Sequence, residues 1–265
     1  MRDLGHVLMK NYTTMQTGGM ARVIVVEKKD ELQEILKWYY RKLFILGAGS
    51  NIIARDQGIK GVVLKNEIKH LQVEGTRIIA GSGVMMPELA KFALKNKLTG
   101  LEFMEGIPGT VGGGVYMNAG FIHNIASVIS SVTATSYRTT DFETTHYYKD
   151  ECQFSFRKSI FQTLKSFISE ATFDLKKGDP KVIAATMQKN HELRALRQPL
   201  EFPSAGTIFK PSKKIKQYFG YTIDKIQMVA PGFIINHGGG SSYDIIIMIR
   251  KIQREIGVKL EVEII

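Results

Sequence analysis

The sequence is short of the residues that would build a disulfide, a metal site or a membrane span. Its 265 residues contain one cysteine, Cys152, which excludes an internal disulfide and a metal site made of cysteines. No cluster of His, Asp and Glu has metal-ligand spacing, so we expect no metal. No apolar run reaches about 18 residues, so no transmembrane helix is predicted. Residues 1–14 lack the apolar core of a signal peptide, which leads us to expect a cytoplasmic protein.

Acidic residues are also in the minority. The sequence has 25 Asp and Glu residues and 36 Lys and Arg residues, which gives a net charge of +11. A field of this sign attracts anions, so nucleic acid, phosphorylated metabolites and cofactors all stay open as partners. The one dense basic run, KPSKKIK at 210–216, is interpreted as a solvated face, with an anion-binding loop as the alternative.

Strand and helix patterns are mixed along the chain. Runs rich in β-branched residues predict strands at 21–27, 43–46, 61–65, 77–81, 127–137, 145–149, 167–175 and 259–265. Helices are predicted over 30–40, 87–97, 179–197 and 241–257, with Asp30 and Asp179 as N-caps, Pro87 and Pro180 at first positions and Gly257 as the stop. The order is mostly not β-α-β, which favours an α+β fold over a doubly wound sheet.

Glycine is concentrated in two loops. LGAGSN (46–51) directly follows a predicted strand, and its glycines let backbone N–H groups approach a phosphate while its serine and asparagine add side-chain hydrogen bonds. IPGTVGGG (107–114) offers a second row of accessible amides. The loop LGAGSN fits neither the dinucleotide fingerprint nor the Walker loop. Either alone could be an ordinary turn, but two such loops, each interpreted as following a strand, suggest one long diphosphate ligand held between them.

A third stretch, SAGTIFK at 204–210, raises a question about one hydroxyl. Thr207 follows two small residues and a glycine and precedes an apolar pair. Ser, Thr and Gly are common in turns, so the composition favours a turn that enters a strand. The alternative is that Thr207 is a positioned proton donor.

Seven stretches occur in an order typical of one enzyme family. They are NYTTMQTGGMARVIVV, LGAGSNIIARDQGIKGVVLK, LTGLEFMEGIPGTVGGGVYMNAG, FSFRKSIFQ, PSAGTIFK, FIINHGGGSSYDII and GVKLEVEII. With them the chain resembles the UDP-N-acetylenolpyruvoylglucosamine reductase (MurB) family over almost its whole length. It is similar to the shorter of two types, because residues 121–175 leave no room for the longer type's extra substrate-covering loop.

The resemblance implies a fold and a reaction. The implied fold has two FAD-binding sub-domains at 1–70 and 71–176, like those of vanillyl-alcohol oxidase (PCMH type), and a C-terminal substrate domain at 177–265 whose last strand could return to the FAD domain. The implied enzyme takes electrons from NADPH through FAD and reduces the enolpyruvyl ether of a UDP-sugar in peptidoglycan precursor synthesis. It would be a monomer, without nucleic-acid or membrane partners.

The resemblance also implies roles for individual residues. Arg157 would stabilise the enolate-like charge of the substrate, Thr207 would protonate carbon, and Glu263 would be the carboxyl partner from the terminal strand. The FAD contacts would come from Gly47, Gly49, Ser50, Asn51, Gly109, Thr110, Gly112, Gly113, Asn118 and Gly120. The UDP-sugar would be held by Lys210, Lys213 and Lys214.

Several positions depart from the family pattern, all on the substrate side. Thr207 stands where the family has serine, Phe156 where it has tyrosine, no asparagine stands between Lys210 and Pro211, and Ile265 replaces an arginine. The stretch between Thr207 and FIIN is also shorter. An added methyl in a tight site commonly costs ~1–3 kcal/mol, so we expect Thr207 to support a slow but real enzyme.

Three hypotheses therefore stand. The first is an active reductase in which lysines 213, 214 and 216 replace lost diphosphate contacts. The second is an FAD-binding protein with a lost or changed substrate. The third, a nucleic-acid-binding module, lacks aromatic-basic interleaving, a recognition helix and a zinc signature. His123 and His237 are interpreted as turn residues, with a place in the cleft as the alternative.

Overall fold

The structure, a computed structural model, describes residues 1–138 and 141–265. Its chain divides into two compact units, each built from separate stretches of sequence. Unit 1 comprises Met1–Asp3, Ile24–Gly47 and Leu64–Glu192, and unit 2 comprises Leu4–Val23, Ala48–Val63 and Leu193–Ile265. The three domains with boundaries at 70/71 and 176/177 stay a prediction. In the described ranges, no helix is both long and apolar enough to cross a bilayer.

The described residues form seventeen strands and six α-helices. The helices are α1 (Asp30–Tyr39), α2 (Met86–Lys95), α3 (Val111–Tyr116), α4 (Phe161–Leu164), α5 (Pro180–Arg197) and α6 (Ser242–Ile256). The strands are β1 (Arg2–Leu8), β2 (Met20–Val26), β3 (Leu43–Leu46), β4 (Ile52–Ile53), β5 (Val62–Asn66), β6 (Leu71–Glu74), β7 (Arg77–Gly81), β8 (Leu98–Thr99), β9 (Ile129–Ser136), β10 (Thr144–Tyr148), β11 (Ser166–Asp174), β12 (Lys176–Lys177), β13 (Ser204–Thr207), β14 (Thr222–Ile223), β15 (Ile226–Val229), β16 (Phe233–Asn236) and β17 (Glu263–Ile264).

A five-stranded antiparallel sheet organises unit 1. Its order is β10-β9-β11-β7-β6, and β9 meets β11 with Thr135 opposite Phe167. Alternate side chains of these strands point to one face, where they join α2 and α3 in a core that contains Phe103, Phe161 and Phe173. Each of these rings is no more than 2% exposed, so this core fixes the loops that leave the sheet.

Unit 2 is built on a smaller sheet. Its order is β13-β16-β15-β14, and its apolar side chains, with those of α6, form a separate core that includes Ile208, Met228 and Ile249. The last strand, β17, lies parallel to β4. A further four-stranded sheet, ordered β1-β2-β5-β3, has residues of β1, β2 and β5 in both units.

The predicted α+β class is confirmed, and the strands predicted at 127–137, 145–149 and 167–175 are present and pair antiparallel. Most helix ends are confirmed, but Pro87 is the second residue of α2 and not the first. Asp179 accepts a hydrogen bond from the amide of Lys181 at 2.8 Å, Ser241 caps α6, and Gly257 ends α6 in the left-handed region. The prediction that Asp30 caps the first helix is wrong. Lys29 occupies the N-cap position, and Asp30 is the first helical residue. The negative charge of Asp30 there interacts favourably with the positive end of the helix dipole.

Candidate active site

The first residue of the loop 47–51, Gly47, directly follows strand β3. It lies in unit 1, where it packs against the second glycine-rich segment. A Cβ atom built on Gly47 would lie 2.5 Å from the hydroxyl oxygen of Thr110, closer than any real carbon–oxygen contact. The side chain of Lys65 donates a hydrogen bond of 2.5 Å to the carbonyl oxygen of Gly47. The first predicted FAD residue therefore packs directly against another, Thr110, and only glycine fits there.

The following four residues present unused backbone donors. Within the described residues of unit 2, no hydrogen bond has the amide of Ala48, Gly49, Ser50 or Asn51 as its donor. The loop is instead held through acceptors, since the carbonyl of Gly49 accepts from the Thr14 amide at 3.2 Å. A short run of unsatisfied N–H groups is the kind of concavity that binds phosphate. This arrangement fits the diphosphate-binding role predicted for the loop.

The second loop does not have the predicted open row of amides. It follows a 3-10 turn at Glu102–Met104 rather than a strand, and residues 111–116 form helix α3. The Gly109 amide donates to the carbonyl of Ile107 and the Gly112 amide to that of Ser82, both at 2.8 Å, while the Gly113 amide donates to the Thr110 hydroxyl at 3.3 Å. Glycine at these positions thus serves close packing, and the prediction of a second accessible amide row is wrong.

Asn118 and Gly120 connect α3 to the arginine turn of unit 1. The Asn118 side chain is 4% exposed, donates to the Ser155 carbonyl at 2.9 Å and accepts from the Ala126 amide at 3.1 Å. The carbonyl of Gly120 accepts from the guanidinium Nη2 of Arg157 at 3.1 Å. Both residues therefore position the loop that carries Arg157, and their predicted FAD contacts stay a prediction.

Arg157 lies at the tip of a tight turn. The amide of Lys158 donates to the carbonyl of Ser155, and the amide of Ser155 donates to the carbonyl of Lys158, each at 3.1 Å. Phe156 and Arg157 are the two residues in between. The Phe156 ring is 60% exposed, and the Arg157 guanidinium carbon lies 5.4 Å from its centroid. A guanidinium over a ring face keeps the N–H donors in its own plane available to other acceptors, which suits recognition of a carboxylate.

Thr207 ends a bulged strand in unit 2. Ser204 pairs with Ile235 and Thr207 with Phe233, so three steps on β13 match two on β16. The extra residue is accommodated at Gly206, whose φ is +75°. Bulges re-aim side chains and are common beside active sites. The Thr207 hydroxyl has no hydrogen-bond partner in the part of the chain that the structure describes, and so its oxygen is available to a ligand.

The terminal segment joins Thr207's strand to the glycine-rich loop. The amide of Glu261 donates to the carbonyl of Ile208 at 2.9 Å, and the side-chain amide of Asn51 donates to the carbonyl of Glu261 at 3.2 Å. The amide of Glu263 donates to the carbonyl of Asn51 at 3.0 Å. Unit 2 thus brings together predicted cofactor residues, the predicted proton donor and the predicted carboxyl partner.

The predicted substrate lysines lie on and before a short 3-10 helix, Lys213–Tyr218. Lys213 and Lys214 are exposed and form no ion pair in the described ranges, whereas Ile215 and Tyr218 turn into the core of unit 2. The run is amphipathic. Lys210 precedes it and is held by a backbone bond to Lys259 at 2.8 Å.

One polar residue of unit 1, close to the IPGTVGGG segment, was not predicted from the sequence. A carboxylate oxygen of Glu105, Oε2, is buried without a hydrogen-bond donor. A buried acceptor without a donor costs about 1–3 kcal/mol, so a ligand with N–H or O–H groups would stabilise it. FAD carries such groups, and this fit supports its binding here. The signal in the sequence was an acidic residue two positions before the IPGTVGGG loop.

Other groups considered from the sequence have the following surroundings. Burial raises the pKa of Cys152 to about 12, with Glu151 adding to the shift, which makes it a poor nucleophile. His237 hydrogen-bonds Gln227 at 2.9 Å, and His123 lies edge-on to Phe103. Among residues 1–138 and 141–265, no group of three or more His, Cys, Asp or Glu side chains could hold a metal ion.

Comparison with known proteins fits this geometry. Residues 20–136 match a family model described as an FAD binding domain. The UDP-N-acetylenolpyruvoylglucosamine reductase of Clostridium novyi is 37% identical over 98% of this chain and 89% of its own, and that of Pediococcus pentosaceus is 35% identical over 98% and 93%.

Solved structures agree with the sequence relatives. The MurB enzyme of Thermus caldophilus superposes with a TM-score of 0.88 at 28% identity, over 100% of this chain and 99% of that one. Cholesterol oxidase from Brevibacterium sterolicum, at 12% identity and a TM-score of 0.51, shares the fold over 66% of this chain and 37% of its own. The chain therefore belongs to the UDP-N-acetylenolpyruvoylglucosamine reductase family.

Proposed function

We propose that this chain is an FAD-dependent enzyme that reduces the enolpyruvyl ether of UDP-N-acetylglucosamine to UDP-N-acetylmuramate, with NADPH as the electron donor. The observation that carries the proposal is the Thr207 hydroxyl on its bulged strand, which has no hydrogen-bond partner among the described residues and lies where the resemblance places the family's serine. An oxygen kept without a partner can deliver a proton to substrate.

Arg157 provides the charge that the reaction needs. Bound FAD supplies a hydride to the terminal carbon of the enol ether. Negative charge then develops towards the substrate carboxylate, and a fixed guanidinium stabilises that charge more in the transition state than in the ground state. Arg157 carries such a guanidinium on a turn fastened to Gly120.

Thr207 and Glu263 complete the proton transfer. We assign to Thr207 the donation of its hydroxyl proton to the carbon next to the reduced one. Glu263 would keep a carboxylate at the end of the segment that is bonded to Ile208 and Asn51. General acid–base groups of this kind contribute about 10²–10⁴-fold to a rate.

The cofactor and substrate contacts follow the same proposal. FAD would be held by the loop residues Gly47, Gly49, Ser50 and Asn51, by Gly109, Thr110, Gly112 and Gly113, and by Asn118 and Gly120. The exposed Lys213 and Lys214, with the half-buried Lys210, would neutralise the diphosphate of the UDP-sugar. We also propose a monomeric, cytoplasmic enzyme, for which size-exclusion chromatography and fractionation are the tests.

One observation favours a second candidate, an FAD-binding protein with a changed substrate. Phe156 exposes 60% of an apolar ring where the resemblance expects a hydroxyl. A more apolar substrate would be accommodated better by this ring than a sugar nucleotide would. Because FAD binding is common to both candidates, only the substrate step separates them.

An anaerobic experiment tests the proposal. The purified protein is reduced with NADPH, the enolpyruvyl UDP-sugar is added, and the oxidised-flavin absorbance band is followed. Return of the band within seconds to minutes, with UDP-N-acetylmuramate formed, is the expected result. A protein that binds and reduces its flavin but is not reoxidised by this substrate would exclude the reductase and leave the second candidate.

A further inference from the structure

Arg157 occupies a backbone conformation that arginine seldom adopts. Its φ is +53°, in the left-handed region. It is the third residue of the four-residue turn Ser155–Lys158, a place where turns with a positive φ favour glycine. A side chain in this region costs of order 1–3 kcal/mol and persists only where its surroundings enforce it.

Gln162 is the residue that enforces it. Its side-chain nitrogen Nε2 donates to the carbonyl oxygen of Arg157 at 3.1 Å and to the carbonyl oxygen of Tyr116 at 3.1 Å. The same Tyr116 carbonyl accepts from the Ser159 hydroxyl at 2.7 Å. One amide group thus holds the strained peptide of Arg157 against the end of helix α3.

The other end of the turn is fastened independently. Asn118 donates to the Ser155 carbonyl at 2.9 Å, and the Arg157 guanidinium itself donates to the Gly120 carbonyl at 3.1 Å. Asn118 therefore fixes where the turn begins, whereas Gln162 fixes the peptide orientation at its third residue. The direction in which the Arg157 side chain leaves the backbone depends on that peptide.

We propose that Gln162 is a positioning residue for Arg157, acting through the Arg157 carbonyl and without contact to substrate. The inference rests on the proposed function, because it takes the reductive step as the reaction that Arg157 serves. A misplacement of about 1 Å in a group that stabilises charge can cost about 100-fold in rate. Loss of the Gln162 bonds lets the peptide of Arg157 rotate and turns the guanidinium away.

The experiment is a double-mutant cycle on flavin reoxidation by the enolpyruvyl UDP-sugar. Gln162→Leu keeps the side-chain volume and removes the donor. We expect the reoxidation rate at saturating substrate to fall about 10- to 100-fold, the half-saturating substrate concentration to change less than threefold, and flavin reduction by NADPH to stay unchanged. In an Arg157→Ala background, the same substitution should change the rate less than threefold.

Two further variants decide between positioning and general support. Gln162→Lys keeps an N–H donor for both carbonyls and should retain most of the parent reoxidation rate. This variant still tests the inference if Gln162→Leu does not fold. Gln72→Leu, which removes a surface amide that donates to Glu74 at 2.8 Å, is the matched control and should leave every rate unchanged.

Three results would overturn the inference. The first is an equal fold-reduction of the reoxidation rate by Gln162→Leu in the parent and in the Arg157→Ala background, which would mean that Gln162 only stabilises the fold. The second is a folded Gln162→Lys enzyme as slow as the Leu variant. The third is an unchanged rate in Gln162→Leu. The Arg157→Ala variant alone tests the proposed role of Arg157. If its reoxidation rate equals that of the parent, the proposed function of Arg157 fails, and this outcome is distinct from a failure of the Gln162 inference.

Discussion

The amide nitrogen of Glu263 donates a hydrogen bond of 3.0 Å to the carbonyl oxygen of Asn51. This bond begins the parallel pairing of β17 with β4, and it connects residues that are 212 positions apart in the sequence. The Asn51 side chain returns a second bond to the carbonyl of Glu261. A carboxylate proposed to act on substrate is therefore held by the loop proposed to bind FAD.

Glu263→Gln tests whether the carboxylate has a chemical role. The backbone bond to Asn51 does not involve the side chain, so the loop and FAD binding should be preserved. We expect flavin reoxidation to slow by about 10²-fold or more, the lower range for a lost acid–base group. Stopped-flow absorbance measures the rate, and FAD fluorescence measures retention of the cofactor. Equal losses of rate and FAD affinity would contradict a role in catalysis.

Thr207 can be tested by two substitutions with opposite expected effects. Thr207→Ser removes the methyl group, which lies 3.7 Å from the position of a Cβ on Gly232, and should raise the reoxidation rate about 10-fold. Thr207→Val keeps the shape and removes the oxygen, and should lower the rate about 10²–10⁴-fold. Single-turnover kinetics with the same substrate measure both. A Val variant as fast as the parent would show that another group protonates carbon.

Gly47→Ala tests the packing of the two glycine-rich segments. The new methyl would lie 2.5 Å from the Thr110 hydroxyl oxygen and force the loop apart. We expect FAD affinity to fall at least about 10-fold, which corresponds to ~1.4 kcal/mol, as measured by quenching of FAD fluorescence on titration. Gly75→Ala is the control for backbone strain alone, because a Cβ there meets no atom within 4 Å but the φ of +64° disfavours any side chain. Comparable FAD losses in both variants would indicate a general loss of stability instead.

Local features of the fold were predictable because they depend on short-range chemistry. The Ser241 and Gly257 ends of α6 and the presence of strands β9 and β11 follow from capping preferences and alternation. The loop 47–51 was predictable as well, since glycines after a buried strand imply exposed amides. These patterns are readable in windows of a few residues.

The remaining features depend on partners distant in sequence. IPGTVGGG suggested exposed amides, but Ser82 supplies an acceptor for Gly112 from 30 residues away. The strain at Arg157 depends on Gln162 and on Tyr116, which a turn pattern does not include. Glu105 was missed because burial of its carboxylate oxygen is decided by tertiary packing alone.

Glu170 on β11 gives unit 1 a stability that depends on pH. Its carboxylate accepts from Lys29 at 2.5 Å and from His70 at 2.8 Å. Burial opposes its ionisation, but the hydrogen bonds from Lys29 and His70 outweigh that effect and lower the pKa of Glu170 below 4.5. A lowered pKa means that the contribution is complete above pH 4.5 and is lost as the pH falls through the folded-state pKa.

We therefore expect Glu170→Gln to destabilise the protein by about 1.5–3 kcal/mol at pH 7 and by progressively less as the pH falls through the folded-state pKa of Glu170. Thermal unfolding of parent and variant over a series of falling pH values measures the difference, with Glu74→Gln on the neighbouring strand β6 as the surface control. The control should shift the melting temperature little throughout, since Glu74, its partner Gln72 and the nearby Arg77 are all exposed. A Glu170→Gln penalty that stays constant down to the lowest pH at which the parent is folded would mean that packing of the side chain, and not its charge, stabilises the sheet.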